Sequence, residues 1–534
     1  MENRATAILR RKSAMQSARS IYEQNWKDGY DYSFPERGDG FYGEKSDGGA
    51  LQAKRARLFD STATDAGQIL AASIMTGGTP SNSRWLSLTT GQDNDEEARW
   101  LDNAAEVIWQ NIHASNYDSE GIDACLDMVA AGWFVMFCDS LAEGGFNFQL
   151  LPMSSSYIAA SKPNGPADIL VHEYCLTAEQ AVTKFGKDAV SEKIRKCCEE
   201  GGNPDEKFRF IWSIFPRVSA QAAGILAKNL PFTSTHVDCD SKTVVKESGF
   251  HECPFWAPRW SKLPGTVYPV GPMYRAMPDV KQLNRLVYLE DMNADIAISG
   301  MWIAEDDGVL NPRTVKIGPR KIIVANSVDS MKPLTSGANF NLSFSKKEGL
   351  QAAIRKILMA DQLPPVDSPV RTATEFQLRV QQIRQVLGPV FGRMQPEWYG
   401  PMVVRCFGLA FRAGVLGQPP QSLANRSFNV EFKSPMAKSQ KMEEVSSIES
   451  SLNSIGLIAQ AKQDQSVWDV VDLDEAARQI IDGRGAPASI TRSKENIAQL
   501  RDQRAQAQQQ AVQQQQQHEL AQKTVPIAMQ QASK

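Results

Sequence analysis

An α+β fold is predicted for this chain, and three stretches of different period predict it. From Phe146 to Val218 and again from Phe232 to Trp260, short runs such as FNFQLLPM, ILVHEYCL and FRFIWSIFPRV read as strands. From Asn341 to Gly417, apolar residues recur at helical spacing behind capping signals. From Tyr268 to Gly300, a third stretch holds helical period after a Gly-Pro turn. At 534 residues and 59.0 kDa the chain exceeds one core, and we expect roughly three or four packing units.

In chain order, residues 1–35 alternate basic and apolar positions as a surface helix does, with Ile8, Ala14, Ile21 and Trp26 among its buried candidates. A Gly- and Asp-rich loop follows as far as Gly49. Asp60 or Ser61 caps a helix through about Met75, Gly77-Gly78 ends it, and Trp85 to Leu88 reads as a strand. Helices are expected over Asp95–Ala114 and Ser119–Val129, the latter feeding a buried run around Trp133. Shorter ones fall at Thr177 to Phe185 and Val190 to Glu200.

Pro278 suits the first turn of a helix over 278–299, where no backbone donor is lost, and Asp279 complements the helix dipole. Leu283, Leu286, Val287, Leu289 and Met292 form its apolar side, over a length of about 30 Å. Strand candidates at 303–305 and 313–326 follow. Ser345 with Glu348 is a capping box, and Leu350, Ile354, Ile357 and Leu358 carry a helix over about 345–361. Pro364, Pro365 and Pro369 stop it. Thr372 with Glu375 opens another helix, with Phe376, Val380, Ile383 and Leu387 on one side, until Gly388-Pro389 bends or breaks it. Beyond lie a strand at Phe428–Phe432, helices at Lys438–Gln460 and Asp472–Asp482, and a Gln-rich tract from Gln506 to Gln517.

Composition excludes several classes. Lys and Arg number 58 against 61 acids, a formal charge of -3, which rules out a generally cationic nucleic-acid binder. That balance does not exclude contact with DNA in which few phosphates are neutralised. Arg4, Arg10, Arg11 and Lys12 break any signal-peptide core, and the longest uncharged apolar run, Met128 to Cys138, is too short to span a bilayer. We expect no membrane insertion. Eight cysteines in so long a chain give no disulfide framework.

The charged and thiol-bearing clusters of the sequence match no catalytic or metal-binding motif. Gly186-Lys187 is followed by Asp188 and lacks the upstream glycine of a phosphate-binding loop. His251, Glu252, Cys253 and Cys239 match no zinc-finger spacing, and His236 and His251 fit loop positions. Asp306-Asp307 falls in a turn and Asp472-x-Asp474-Glu475 at a helix start, where acids are expected anyway. No catalytic residue, metal or cofactor is assigned, and no enzyme activity is expected.

Several separate motifs, in order, carry a family resemblance over most of the chain. They are Thr372-Ala373-Thr374-Glu375 with Arg379, Leu387-Gly388-Pro389, Gly392-Arg393, Glu397, and Pro401 to Arg405, preceded by the segments 58–88 and 268–300. In these the chain resembles the portal, or head-to-tail connector, proteins of short-tailed double-stranded DNA bacteriophages. Gly271, Pro272, Ala276, Pro278 and Asp279 stand where that family introduces the first of its two stem helices.

The resemblance implies a portal fold with wing, two-helix stem, clip and helical crown, assembled as a homo-oligomeric ring, a dodecamer. It places the wing at 1–265, the first stem helix at 266–300, the clip at 301–343 and the second stem helix at 344–362. A channel loop follows at 363–370, then wing or crown-side helices at 371–485 and a helical crown or barrel with a Gln-rich tail at 486–534. It further implies a unique capsid vertex of the virion, assembly in the host cytoplasm, and a channel for genome packaging and ejection. Implied partners are the DNA duplex, the terminase packaging motor, major capsid and scaffolding proteins, and tail adaptor or tail tube proteins.

The channel loop would be Leu363, Pro364, Pro365, Val366, Asp367, Ser368, Pro369 and Val370. Lys346, Lys347, Arg355, Lys356 and Arg371 are candidates for weak phosphate contact, and each also fits a solvated or intersubunit charge. Arg313, Lys316, Arg320 and Lys321 make the clip basic and are docking candidates, though a solvated edge strand explains them as well. Two other functions remain open at this point: a nuclease acting on DNA, and a virion scaffold or adaptor without a channel.

Overall fold

A computed structural model describes residues 3–42, 48–89, 95–141, 143–199, 201–217, 229–299, 302–304, 331–333, 340–363, 373–424, 431–432, 435–462, 465–483 and 496–511. Its helices are α1 (Arg4–Asp31), α2 (Gly48–Arg55), α3 (Thr62–Gly78), α4 (Asp95–Ala114), α5 (Tyr117–Ala131), α6 (Ala178–Phe185), α7 (Glu192–Cys197), α8 (Pro272–Ser299), α9 (Phe340–Ile357), α10 (Ala373–Met394), α11 (Gly400–Arg412), α12 (Gln421–Ala424), α13 (Pro435–Lys462) and α14 (Leu473–Gly483). Its strands are β1 (Leu88–Thr89), β2 (Val135–Ser140), β3 (Phe146–Leu151), β4 (Ser156–Ala159), β5 (Ile169–Thr177), β6 (Lys207–Pro216), β7 (Phe232–Asp238), β8 (Thr243–Phe250), β9 (Phe255–Trp256), β10 (Trp302–Ala304), β11 (Met331–Pro333) and β12 (Glu431–Phe432). The mixture of helix and sheet agrees with the α+β expectation.

The chain divides into two compact units, not three or four: residues 1–85 with 108–415, and 86–107 with 416–534. The helical segments after residue 268 do not form a core of their own, because α8 and α9 pack on α1, α3 and α5.

In the first unit, an antiparallel sheet of order β4-β5-β6-β7-β8 has both faces covered. Strand alternation sends Tyr157, Ile169, Val171, Ile211 and Val237 to one face, where Ala5, Ile8 and Met15 of α1 meet them. Phe208, Phe210 and Val245 go to the other face, against Ala178, Ala181 and Ile194 of α6 and α7. Thr177 caps α6 with a complete capping box. A smaller sheet, β3-β2-β9, holds the second half of the Met128–Cys138 run. The first half ends α5, and Gly132, with φ +91°, turns the chain into the strand.

Several sequence expectations need correction. On α1, Ile8 and Trp26 are buried but Ala14 and Ile21 are exposed. The inward face is instead Ala5, Ile8, Met15, Arg19, Trp26 and Tyr30. Arg19 belongs there because its guanidinium donates to the Ser154 and Ser156 carbonyls and lies over Trp26 and Tyr157. Gly77 and Gly78 lie within α3 and do not cap it. A Cβ on Gly77 would come 2.7 Å from Phe391 Cζ, and one on Gly78 would overlap the Tyr399 hydroxyl, so their smallness serves helix packing. Trp85 is buried outside any strand, and only Leu88–Thr89 pairs, with Phe432 and Glu431 in the second unit.

Helix α8 starts at Pro272, not Pro278, which lies inside it. Gly271 and Gly132 cross backbone to backbone, a Cβ on Gly271 falling 2.7 Å from the Gly132 nitrogen, so the turn is complete one residue before Pro272. Helix α9 starts at Phe340, which places Ser345 in mid-helix, where it is no cap. It ends when Met359 takes the left-handed conformation (φ +59°), with Ala360 and Met359 donating to the Arg355 and Lys356 carbonyls. Pro389 does not break α10. Leu387 and Met394 are fully buried on either side of it and hold the helix on its path. His236 sits on β7, not in a loop.

In the second unit, Asp472 Oδ1 accepts from the Asp474 and Glu475 amides at 3.0 Å and so caps α14. Residues 496–511 are helical, and Arg501 grips Asp474 through contacts of 2.6 and 2.7 Å. The strand expected at 313–326 and most of 428–432 lie outside the described residues. Among the described residues no helix is long and apolar enough to cross a membrane.

Candidate functional site

Of the residues singled out by the sequence, Lys346, Lys347, Arg355 and Lys356 lie on α9, which packs antiparallel to α8. Val280, Leu283 and Val287 of α8 and Ile354 and Leu358 beyond the middle of α9 are buried. Glu290 fixes the register, because its carboxylate accepts from the Ser343 hydroxyl and lies 3.6 Å from Lys347 Nζ. Residues 57–60 are tied across the groove between the two helices. Asn284 accepts from the Phe59 amide at 2.8 Å and donates to the Arg57 carbonyl at 2.9 Å, while Gln351 donates to Asp60 at 2.9 Å. At the α8 side this leaves a cleft of roughly 330 Å³ bounded by Lys54, Arg57, Phe59, Lys281, Arg285 and Tyr288. Lys281 is held by Asp28 at 2.6 Å.

The candidate cations do not form one row. Lys347 faces α8 and is paired with Glu290. Lys346, Arg355 and Lys356 are exposed. At about 100° per residue, Lys346 and Arg355 are roughly 180° apart, on opposite flanks of α9, and Lys356 lies opposite the packed face. Leu363 is buried, and Gln382 of α10 donates to the neighbouring Gln362 carbonyl at 3.0 Å. Pro364 to Val370 and Arg371, like Arg313, Lys316, Arg320 and Lys321, lie outside the described residues.

Sequence reasoning quoted Glu397, Arg393 and Arg405 without a physical role. Glu397 and Arg393 fasten α10 and the turn after it to the segment preceding α8, and Arg405 fastens α11 to β2 and to the turn before β9. Glu397 sits in a π-helical turn, Gln395–Tyr399, between α10 and α11. It receives Arg259 through Nη2 at 2.5 Å and Nε at 2.9 Å, and also the Arg259 amide at 3.1 Å, with both side chains largely buried. Arg393 donates to the Trp260 carbonyl at 3.3 Å. Arg405, itself buried, reaches the Cys138 carbonyl and the carboxylates of Glu252 and Asp139. Burial alone would raise the Glu252 carboxyl, but Arg412 and Arg405 more than offset it and hold the group below its ordinary range. The available signal was a lone charge inside an otherwise apolar helical stretch.

Other polar groupings are already committed to structure. His113 contacts Asp118 through Nδ1 at 2.8 Å, as a catalytic dyad does, yet its Nε2 accepts from the Trp85 indole at 2.9 Å and has no nucleophile beside it. Cys253 donates to the Phe255 carbonyl, and burial pushes its thiol up to about 12. Glu252 is likewise engaged, in its pairs with Arg405 and Arg412. Among the described residues no three His, Cys, Asp or Glu side chains converge as a metal site.

Comparison with known proteins gives relatives of matching length. A probable portal protein of Bordetella phage BPP-1 is 25% identical over 529 residues, covering 93% of this chain and 90% of that one. A portal protein of Salmonella phage epsilon15 is 25% identical over 523 residues, covering 94% and 92%. Among solved structures, the neck of an empty GTA particle shares 13% identity over 71% of this chain and 85% of that one, with a TM-score of 0.34. The described family of bacteriophage head to tail connecting proteins matches residues 5–491, and the chain belongs to that family.

Proposed function

We propose that this protein is the portal of a bacteriophage head, a structural ring at one capsid vertex through which DNA is packaged and later ejected. The observation that carries this reading is the end-to-end match to two phage portal proteins, more than nine-tenths of this chain in each case. That match does not favour the nuclease alternative.

In this reading the units of the sequence analysis become parts of one conduit. The wing is 1–265, the stem is 266–300 with 344–362, which hold α8 and most of α9, 301–343 is the clip and 363–370 the channel loop. Residues 371–485 form the wing or crown-side helices and 486–534 the crown. Closure of identical subunits about an axis repeats one head-to-tail contact and leaves a bore lined by the same residues of each copy. Twelve copies are proposed. The clip, with Arg313, Lys316, Arg320 and Lys321, meets the packaging motor first and tail adaptor proteins afterwards, and the outer surface meets capsid and scaffolding proteins. Of the cations weighed for phosphate contact, Lys356 is the best placed, opposite the packed face of α9, whereas Lys347 serves the hairpin.

Electron microscopy of the purified protein tests the reading. End-on rings with a central hole are expected; solid particles or a stable lone subunit under assembly conditions would overturn it. The channel-loop assignment has its own test. Replacing Pro364 to Val370 by a short Gly-Ser link, with buried Leu363 retained, should leave rings intact and impair packaging or retention. Normal packaging and retention would remove the assignment.

A further inference from the structure

The cleft between residues 54–59 and α8 changes character along its length. It follows α8 from Lys281 to Tyr288, about 10 Å of helix and the span of about three extended residues. At one end stand two lysines with carboxylates of α1 already against them, Lys281 at 2.6 Å from Asp28 and Lys54 at 3.6 Å from Asp31. At the other end Phe59 and Tyr288 meet ring to ring and are still 37% and 42% exposed. Between these ends, one from each wall, are Arg57 and Arg285. Both are exposed and make no ion pair or side-chain hydrogen bond among the described residues.

The lysine charges are offset and the guanidinium charges are not, so the cleft is a local positive site on a chain of formal charge -3. Its ligand is therefore anionic. Phosphate groups are held by cages of backbone N–H groups, and here those donors are spent. The Phe59 amide goes to Asn284, and the Arg57 and Leu58 amides go to the Lys54 and Arg55 carbonyls. What remains is a pair of guanidinium forks, which receive carboxylates two bonds at a time, beside rings that accept an apolar side chain. Asp28 and Asp31 at the lysine end repel a continuous polyanion more than they repel separate single charges. A DNA duplex is also too wide to enter a cleft of roughly 330 Å³.

We propose that this cleft docks a short acidic peptide segment of another protein. Carboxylates of the segment pair with Arg57 and Arg285, and an aromatic or aliphatic side chain lies against Phe59 and Tyr288. All the walls come from one subunit, so this docking does not depend on the ring.

The probe is a fluorescein-labelled hexapeptide in which two glutamate-aspartate pairs are each followed by phenylalanine, titrated with the full chain and read by anisotropy. Saturable binding that weakens with added salt is expected. Arg57→Glu and Arg285→Glu should each weaken it by about tenfold or more, and Phe59→Ala by a smaller factor. Arg55→Glu makes the same charge change at an exposed position outside the cleft and should leave affinity within about twofold. The same peptide with glutamine and asparagine in place of its acids should not bind. Arg57 and Arg285 hold no side-chain contact of the fold by hydrogen bond or ion pair, so their variants should melt as wild type does. Absence of binding, equal losses from Arg55→Glu and Arg285→Glu, or displacement by inorganic pyrophosphate or a short DNA duplex at the peptide's own concentration would overturn the proposal. Lone subunits that bind the peptide while assembled rings do not would show that a second copy fills the cleft, and would overturn it too. Each of these outcomes leaves the portal reading standing, which ring images decide separately.

Discussion

The five-stranded sheet and the α8–α9 hairpin belong to the same compact unit and are built to different rules. In the sheet, buried imidazoles find partners within the chain, although the buried Thr233 and Thr235 hydroxyls do not. His172 meets the Ser156 hydroxyl at 3.0 Å, and His236 meets the Tyr174 hydroxyl at 2.8 Å and stacks on Trp212. Arg19 is buried against two carbonyls. On the hairpin, Phe344 is 60% exposed, and Tyr288 and Met292 stay 42% and 45% exposed even with Phe59 against the Tyr288 ring. The sheet encloses its apolar side chains between helices of the same chain, whereas the hairpin leaves several large ones in the open.

Perturbing the two regions should separate them, beginning with the largest effect. Glu397→Ala strands the buried Arg259 guanidinium and should destabilise the subunit by about 3–5 kcal/mol; a denaturant midpoint equal to wild type would contradict the role given to the π-helical turn. Acid should act on the sheet next. Burial lowers His172 to about 4 and His236 to about 3, with Lys184 adding to both and Lys246 to the second. Below the ordinary histidine pKa of about 6.5 the unfolded chain takes up protons that the folded one refuses, so stability falls as pH drops toward 4. About 2 kcal/mol per histidine should be lost by pH 5. Urea midpoints at pH 7 and pH 5 measure this, and His236→Gln should flatten the slope.

Two glycine substitutions, one in the packed helix α3 and one on the hairpin, should give opposite signs. Gly78→Ala sets a methyl against the Tyr399 hydroxyl and should cost about 1–3 kcal/mol. Gly349→Ala meets open space and should stabilise the subunit by about 0.5–1 kcal/mol. Thermal melts of the two variants suffice, and equal signs would erase the contrast. Smallest of all, Lys347→Ala removes a partly exposed pair with Glu290 and should cost under about 1 kcal/mol.

Strands and helices with a clean period were legible from sequence, as with β5, β6 and the helices α4, α5 and α6. Helix starts were not. Ser345 and Glu348 satisfy the capping pattern, but that pattern caps only where the preceding backbone leaves the helix, and Phe340 to Phe344 continues it. Pro278 and Pro389 were read as boundaries because local backbone chemistry favours that; tertiary packing around Gly271 and Leu387 decided otherwise. Gly77, Gly78 and Gly349 look alike in sequence and differ only in what stands opposite them. The Arg259–Glu397 pair joins residues 138 apart, beyond any local signal. For the candidate site, the hairpin was legible through its two helical stretches, while the pairing of Lys347 with Glu290 came only from structure.

The account depends most on the ring, and end-on electron microscopy of the purified full chain addresses it directly. Closed rings with an open bore wide enough for a duplex are predicted. Monodisperse single subunits, or assemblies filled at the centre, would contradict it.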